Sequence, residues 1–146
     1  MTNDELTARR TPWHFWVVAI LGLLWNGFGG YDYTMSHLQG DAYYRQVGMT
    51  EAQIAYMAQY PVWMHAVWAI GVWGSVAGAV LLVLRSRWAV HAFVASTAGA
   101  VGSVIYTAIS GATAVGIGLA MPLVIVAACL FFIWYARMMT RRGVLR

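Results

Sequence analysis

The residues best suited to chemistry lie in and just after the first long apolar segment of the chain. Asn26 stands near the middle of this segment, and Asp32 follows its outer end. Polar groups in apolar surroundings need hydrogen-bond partners and often mark functional sites. His65 lies at a similar depth in the next apolar segment, so a hydrogen bond between Asp32 and His65 is geometrically reasonable. That bond would form either a polar site or a structural clamp between two helices.

Hydroxyl groups recur along the third apolar segment at helical spacing. Ser103 and Tyr106 lie on the part of this stripe that runs toward the outer surface. Such stripes of hydroxyl groups are usually surfaces through which helices pack together. The alternative is that they line a pathway for a small solute. No acidic or basic residue occupies the middle of an apolar segment. Proton-coupled transporters usually carry protons on such residues, so this mechanism is disfavoured. The candidate polar site comprises Asn26, Asp32, His65, Ser103 and Tyr106.

Glycines recur at spacings of three, four and seven residues in the same apolar segments. Small residues let two helix backbones approach closely inside a membrane. We therefore predict that these glycines form helix-packing faces. They are Gly22, Gly29, Gly71, Gly74, Gly78 and Gly99.

Enzyme and cofactor signatures are missing from the sequence. It contains none of the common hydrolase, metalloprotease or phosphate-loop motifs. Histidine pairs could bind haem, and His37 with His65 at the outer level or His14 with His91 at the inner level could form one. Neither pair has a mid-membrane position or a flanking glycine cluster. The single Cys129 allows no internal disulfide. We expect no catalytic residue, no metal and no cofactor.

The elements that position these residues follow from a composition that is 61% hydrophobic and only 10% charged. Three windows lack charged residues: 11–31, 52–84 and 88–136. A membrane span needs roughly 20 helical residues, so the first two windows hold one span each and the third holds two. We predict a single all-α membrane domain over residues 1–146, a four-transmembrane-helix bundle. Its spans lie near 13–35, 61–84, 88–110 and 118–138.

The loop between the first two predicted spans has structural signals of its own. Thr50 and Gln53 have the spacing of a capping box, which predicts a helix start. Ile54 and Met57 then recur on one face. We predict a short amphipathic helix near 51–60 on the outer surface, acting as a lid over the bundle or, less commonly for such loops, as a binding element.

The basic residues predict how the chain crosses the membrane. All nine are arginines, and eight of them fall on one side of the predicted bundle. By the positive-inside rule both termini are cytoplasmic. The arginines flank apolar segments and form no basic face, so we expect no nucleic-acid partner. The eight are Arg9, Arg10, Arg85, Arg87, Arg137, Arg141, Arg142 and Arg146.

Several stretches resemble a group of small proteobacterial inner-membrane proteins, sometimes loosely labelled sugar transporters. They are residues 25–33 (WNGFGGYDY), 60–63 (YPVW), 134–137 (WYAR) and 141–146 (RRGVLR). The resemblance implies a bacterial inner-membrane location and no specific site residues. We expect a non-enzymatic subunit that packs through glycine-rich faces in a homo-oligomer or larger membrane complex. The alternative is a transporter or channel for a small solute, such as a sugar.

Overall fold

The computed structural model describes residues 11–146, and every regular element in this range is helical. Four helices are long and two are short, and a single 3-10 turn precedes the last long helix. In chain order they are α1 (Trp13–Leu38), α2 (Asp41–Gln46), α3 (Glu51–Ala58), α4 (Val62–Val83), α5 (Ala89–Ile109), the 3-10 turn (Ala112–Val115) and α6 (Ala120–Arg141).

Three of these helices, α4, α5 and α6, are long and apolar enough to cross a membrane. Helix α1 is longer, at 26 residues, and it contains the polar residues Asn26 and Asp32. The structure therefore confirms the all-α class and three helices with the length and composition of membrane spans.

Each predicted span interval contains one long helix. The observed helices begin within two residues of the predicted starts and end within three residues of the predicted ends. Helix α1 continues to Leu38, where Gln39 N–H donates to Met35 O and Gly40 takes a positive φ of 53°. Glycine tolerates this backbone conformation because it has no Cβ, so the chain turns there.

The outer loop contains the expected capping box. Thr50 Oγ accepts a hydrogen bond from Gln53 N–H, and Gln53 Oε1 accepts one from Thr50 N–H at 2.9 Å. Helix α3 ends at Ala58, two residues before the predicted end at 60. The residue before a proline is disfavoured in the helical region, so Pro61 prevents Tyr60 from extending the helix.

The long helices pack in the order α1, α4, α5, α6, and glycines form the contact between α4 and α5. A Cβ added to Gly99 of α5 would lie only 2.5 Å from Gly71 N of α4. Gly74 packs against Ser96 in the same interface, and Gly78 against the Phe93 ring. The sites predicted at Gly71, Gly74, Gly78 and Gly99 thus supply packing inside the subunit.

The hydrophobic core lies at one end of the bundle. At this end α1 contacts α6. His14 Nδ1 lies 2.7 Å from the Tyr135 hydroxyl, and the Phe132 ring fills the space beside Gly22. Phe93 and Phe132 stack with their ring centres 5.1 Å apart. The bundle is therefore closed at this end. The core residues of the long helices are Phe15, Ala19, Ala79, Leu82, Ala89, Phe93, Phe132, Tyr135, Ala136 and Met139.

The chain after α6 docks on the turn between α4 and α5. Arg146 N–H donates to Arg85 O at 2.8 Å, and Arg87 N–H donates to Arg146 O at 2.9 Å. Val144 and Leu145 are buried in the core beside this turn. These contacts define the arginine-rich end of the bundle. The predicted cytoplasmic residues Arg9 and Arg10 lie outside the described residues.

Candidate functional site

A cleft of about 460 Å³ opens in the half of the bundle away from the arginine-rich end. One wall is the part of α1 from Trp25 to Asp32, and the opposite wall is the start of α6. Helices α4 and α5 form its floor, while Met57 of α3 and Tyr60 cover it. The first and last long helices meet at the core end and separate here, so the cleft lies between them.

Small residues create the space in the cleft. Gly29 of α1, Gly71 of α4 and Ala100 of α5 all line it. A Cβ added to Gly29 would find no atom within 4 Å. Gly29 therefore contacts no other helix within the described chain, and its packing against a second subunit stays a prediction.

The lining of the cleft is mostly apolar, with a few polar side chains. Two of these bond to their own helices: Asn26 Nδ2 donates to Gly22 O at 2.7 Å, and Ser75 Oγ donates to Val72 O at 2.8 Å. Such local bonds lower the cost of placing polar groups in an apolar wall. Asp32, Ser103 and Thr107 complete the polar lining from the helices.

Asp32 has a partner that the sequence did not predict. The Tyr43 hydroxyl of α2 donates a hydrogen bond to Asp32 Oδ1 at 2.8 Å. This bond, together with burial, raises the pKa of Tyr43 to about 12, because ionising the phenol would place two negative charges side by side. The suggested Asp32–His65 hydrogen bond is not formed among the described residues, where the partner of Asp32 is Tyr43.

His65 lies beside the cleft, in an aromatic cluster at the same end of the bundle. Its ring centre is 5.4 Å from that of His37 and 5.9 Å from that of Tyr60. Its Nδ1 is buried and has no hydrogen-bond partner among the described residues. His65 is therefore not among the residues that line the cleft.

Tyr106 also lies outside the cleft. Its ring packs edge-on against Tyr60 at 5.3 Å and Trp63 at 5.5 Å. Thr107, four residues after Ser103, shares the helix face that lines the cleft, because residues four apart fall on one side of a helix. Of the five predicted polar residues, the cleft brings together Asn26, Asp32 and Ser103.

The cover of the cleft is held by side chains from both ends of α3. The Tyr56 hydroxyl forms a short hydrogen bond with Ser110 Oγ just after α5. Arg45 and Glu51 form an exposed ion pair at 2.8 Å between α2 and α3, and this pair lowers the pKa of Glu51. Burial raises the pKa of Tyr60. The Tyr56–Ser110 hydrogen bond joins α3 to the end of α5.

The described residues do not suggest a metal centre. Within residues 11–146, no three histidine, cysteine or acidic side chains are grouped so that they could hold one ion. Cys129 is buried in α6, with its Sγ 3.6 Å from Ser96 Oγ.

Comparison of the chain with protein-family models, with curated proteins and with solved structures finds no match.

Proposed function

We propose that this chain is a four-helix protein of the bacterial inner membrane that binds a small, mainly apolar molecule in the cleft. The observation that carries the proposal is the cleft itself, which has a mainly apolar lining and a volume of about 460 Å³. Small-molecule sites typically have volumes of about 300–1,000 Å³ and apolar walls with a few polar groups. Because the cleft lies between two apolar helices that diverge, a ligand would enter from the bilayer.

Helix α1 is the fourth span in this proposal. Its 26 residues extend roughly 39 Å at 1.5 Å per residue, which exceeds the hydrocarbon thickness of about 30 Å. Its exposed side chains include Ile20, Leu21 and Leu24, which suit contact with lipid. Gly30 packs against Val76 of α4, so α1 runs beside a helix with the composition of a span.

The positions of the arginines support an orientation with both termini in the cytoplasm. Arg85, Arg87 and Arg146 meet through backbone hydrogen bonds at one end of the bundle. Arg45 lies in the loop at the opposite end. The positive-inside rule assigns the arginine-rich end to the cytoplasm, so the cleft lies in the outer half of the membrane.

Transport of a small solute is the second candidate function. The observation that favours it is the closed core at the arginine-rich end, because a carrier in one of its states is open to one side only. The mainly apolar lining matches a hydrophobic solute better than a sugar, whose many hydroxyl groups need hydrogen-bond partners. A role as an accessory or self-associating subunit stays a prediction, and most of the glycines expected to mediate it pack inside the subunit.

A cleft-filling substitution tests the proposed function. The probe is N-phenyl-1-naphthylamine, a neutral apolar fluorophore, added to protein in nanodiscs with empty nanodiscs as background. We expect saturable binding to the wild-type protein and its loss in Gly29→Leu, whose side chain enters the cleft. Gly27→Leu is the matched control, because Gly27 also has open space around it but does not line the cleft.

Two results would contradict the proposal. One is wild-type protein that shows no saturable fluorescence above empty nanodiscs. The other is folded Gly29→Leu protein that binds the fluorophore as well as Gly27→Leu does. Both substitutions replace glycine in a helix, which removes a local cost of about 0.5–1 kcal/mol, so both variants are expected to fold.

A further inference from the structure

We infer that the cleft selects a lipophilic cation, a molecule with one delocalised or substituted positive charge on an apolar body. The inference rests on the proposed function and adds the charge of the ligand. Among the residues that line the cleft, Asp32 is the only acidic or basic side chain. Its carboxylate thus gives the wall of an apolar site a single negative charge.

No cation of the described chain is positioned to neutralise Asp32. Its hydrogen-bond donor is the uncharged Tyr43 hydroxyl. Arg45, the nearby arginine of the outer loop, is paired with Glu51 and exposed. The other described arginines belong to the arginine-rich end, on the far side of the core. A carboxylate has about four acceptor positions on its two oxygens, so Asp32 can bind a ligand while it retains Tyr43.

Aromatic rings at the same end of the cleft strengthen the case for a cation. Tyr60 and Trp68 line the cleft together with Asp32. The faces of such rings attract cations, and tryptophan does so most strongly. Trp68 is held in place by edge contact with Tyr33, with 4.9 Å between the ring centres. Tyr60 is held by Tyr106 in the same way.

The remaining lining accommodates the apolar body of such a ligand. Apolar residues of this lining include Val72 of the floor helix α4 and Met121 and Ile125 of the opposite wall, α6. The histidines at this end, His37 and His65, pack among the aromatic rings and do not line the cleft. An anion of the same shape would meet the carboxylate and the negative ring faces without a compensating positive group.

Two ions of nearly equal shape and opposite charge test the inference. Tetraphenylphosphonium and tetraphenylborate are titrated separately into wild-type protein in zwitterionic nanodiscs, with empty nanodiscs as background. We expect saturable binding of the phosphonium at least tenfold tighter than any saturable binding of the borate. This comparison needs no variant, so it stands even if a substitution at Asp32 impairs folding.

Asp32→Asn then assigns the selectivity to one residue. Asparagine keeps an oxygen to accept the Tyr43 hydrogen bond but removes the charge, and we expect phosphonium binding to weaken about tenfold or more. Asp41→Asn is the matched control, because it removes one carboxylate from an exposed position at the start of α2. Its phosphonium affinity should equal that of the wild-type protein.

The outcomes separate the inference from the proposed function. Equal binding of the two ions, or unchanged phosphonium binding in folded Asp32→Asn protein, would overturn the selection of a cation. Saturable binding of N-phenyl-1-naphthylamine that is sensitive to Gly29→Leu would still support an apolar site in those cases. If neither ion nor the neutral fluorophore binds saturably, both proposals fail.

Discussion

Two glycines that face each other between α4 and α5 predict an asymmetric effect of two substitutions. At the α4–α5 contact, a Cβ on Gly99 would lie 2.5 Å from Gly71 N and 2.8 Å from Val67 O. Both neighbours are backbone atoms, which cannot rotate away. A Cβ on Gly71 would instead find its nearest atom, Ala100 N, at 3.4 Å, an ordinary van der Waals distance.

The expected cost of Gly99→Ala follows from these distances. To bring the closest contact from 2.5 Å to 3.4 Å, the two helices must move apart by about 0.9 Å. Overpacking of this kind costs about 1–3 kcal/mol, against about 0.5–1 kcal/mol gained by replacing glycine in a helix. The separation also stretches the hydrogen bond from Ser96 Oγ to Gly71 O, now 2.5 Å long. We expect a net loss of about 1–2 kcal/mol.

Unfolding of the purified protein in mixed micelles by increasing sodium dodecyl sulfate, followed by circular dichroism, measures this difference. Gly71→Ala should be neutral or stabilising by up to about 1 kcal/mol, and Gly27→Ala, which meets no atom within 4 Å, should behave in the same way. If Gly99→Ala is as stable as Gly71→Ala, the close approach of α4 and α5 at these glycines is wrong.

Two further predictions concern the short helices. The raised pKa of Tyr43, about 12, means that its hydrogen bond to Asp32 stabilises the fold fully below about pH 10, the ordinary tyrosine pKa, and is lost as pH rises through 12. Tyr43→Phe should therefore lower the free energy of unfolding by about 1.5–3 kcal/mol at pH 8. The difference in stability between this variant and the wild-type protein, followed by thermal unfolding, should decrease between pH 10 and 12. Tyr56→Phe removes the hydrogen bond to Ser110, so hydrogen exchange of the amides of α3 should accelerate while those of α5 stay unchanged. Equal exchange of α3 in both proteins would show that this hydroxyl pair does not hold the cover.

Much of the helical framework could be predicted because charge is so scarce in this chain. An uncharged window of sufficient length has few alternatives to a helix, and the capping residues Thr50 and Gln53 mark the start of α3 directly. Helix α2 was missed because six residues are too few to show a helical period. The docking of Val144 and Leu145 was missed because it depends on contacts with a distant turn.

The candidate site was only partly predictable, for reasons of register and topology. The predicted depth of Asn26 and Ser103 in the membrane placed them together, and both line the cleft. Predicted depth does not indicate the direction in which a side chain points. Tyr106 and Thr107 differ by one position, about 100° around the helix, and only Thr107 lines the cleft. The partner of Asp32 lies 11 residues away on a short helix whose fold-back has no local sequence pattern.

The two walls of the cleft come from opposite ends of the chain, which has a consequence for assembly. Residues 25–32 and 117–125 are separated by about 90 positions, so the cleft is complete only after α6 has docked on α5. Contacts between such distant segments tend to form late in folding. A molecule that binds only the finished cleft adds stability by mass action, about 2.7 kcal/mol at a concentration one hundred times its Kd. Its presence during synthesis should therefore raise the yield of correctly assembled protein.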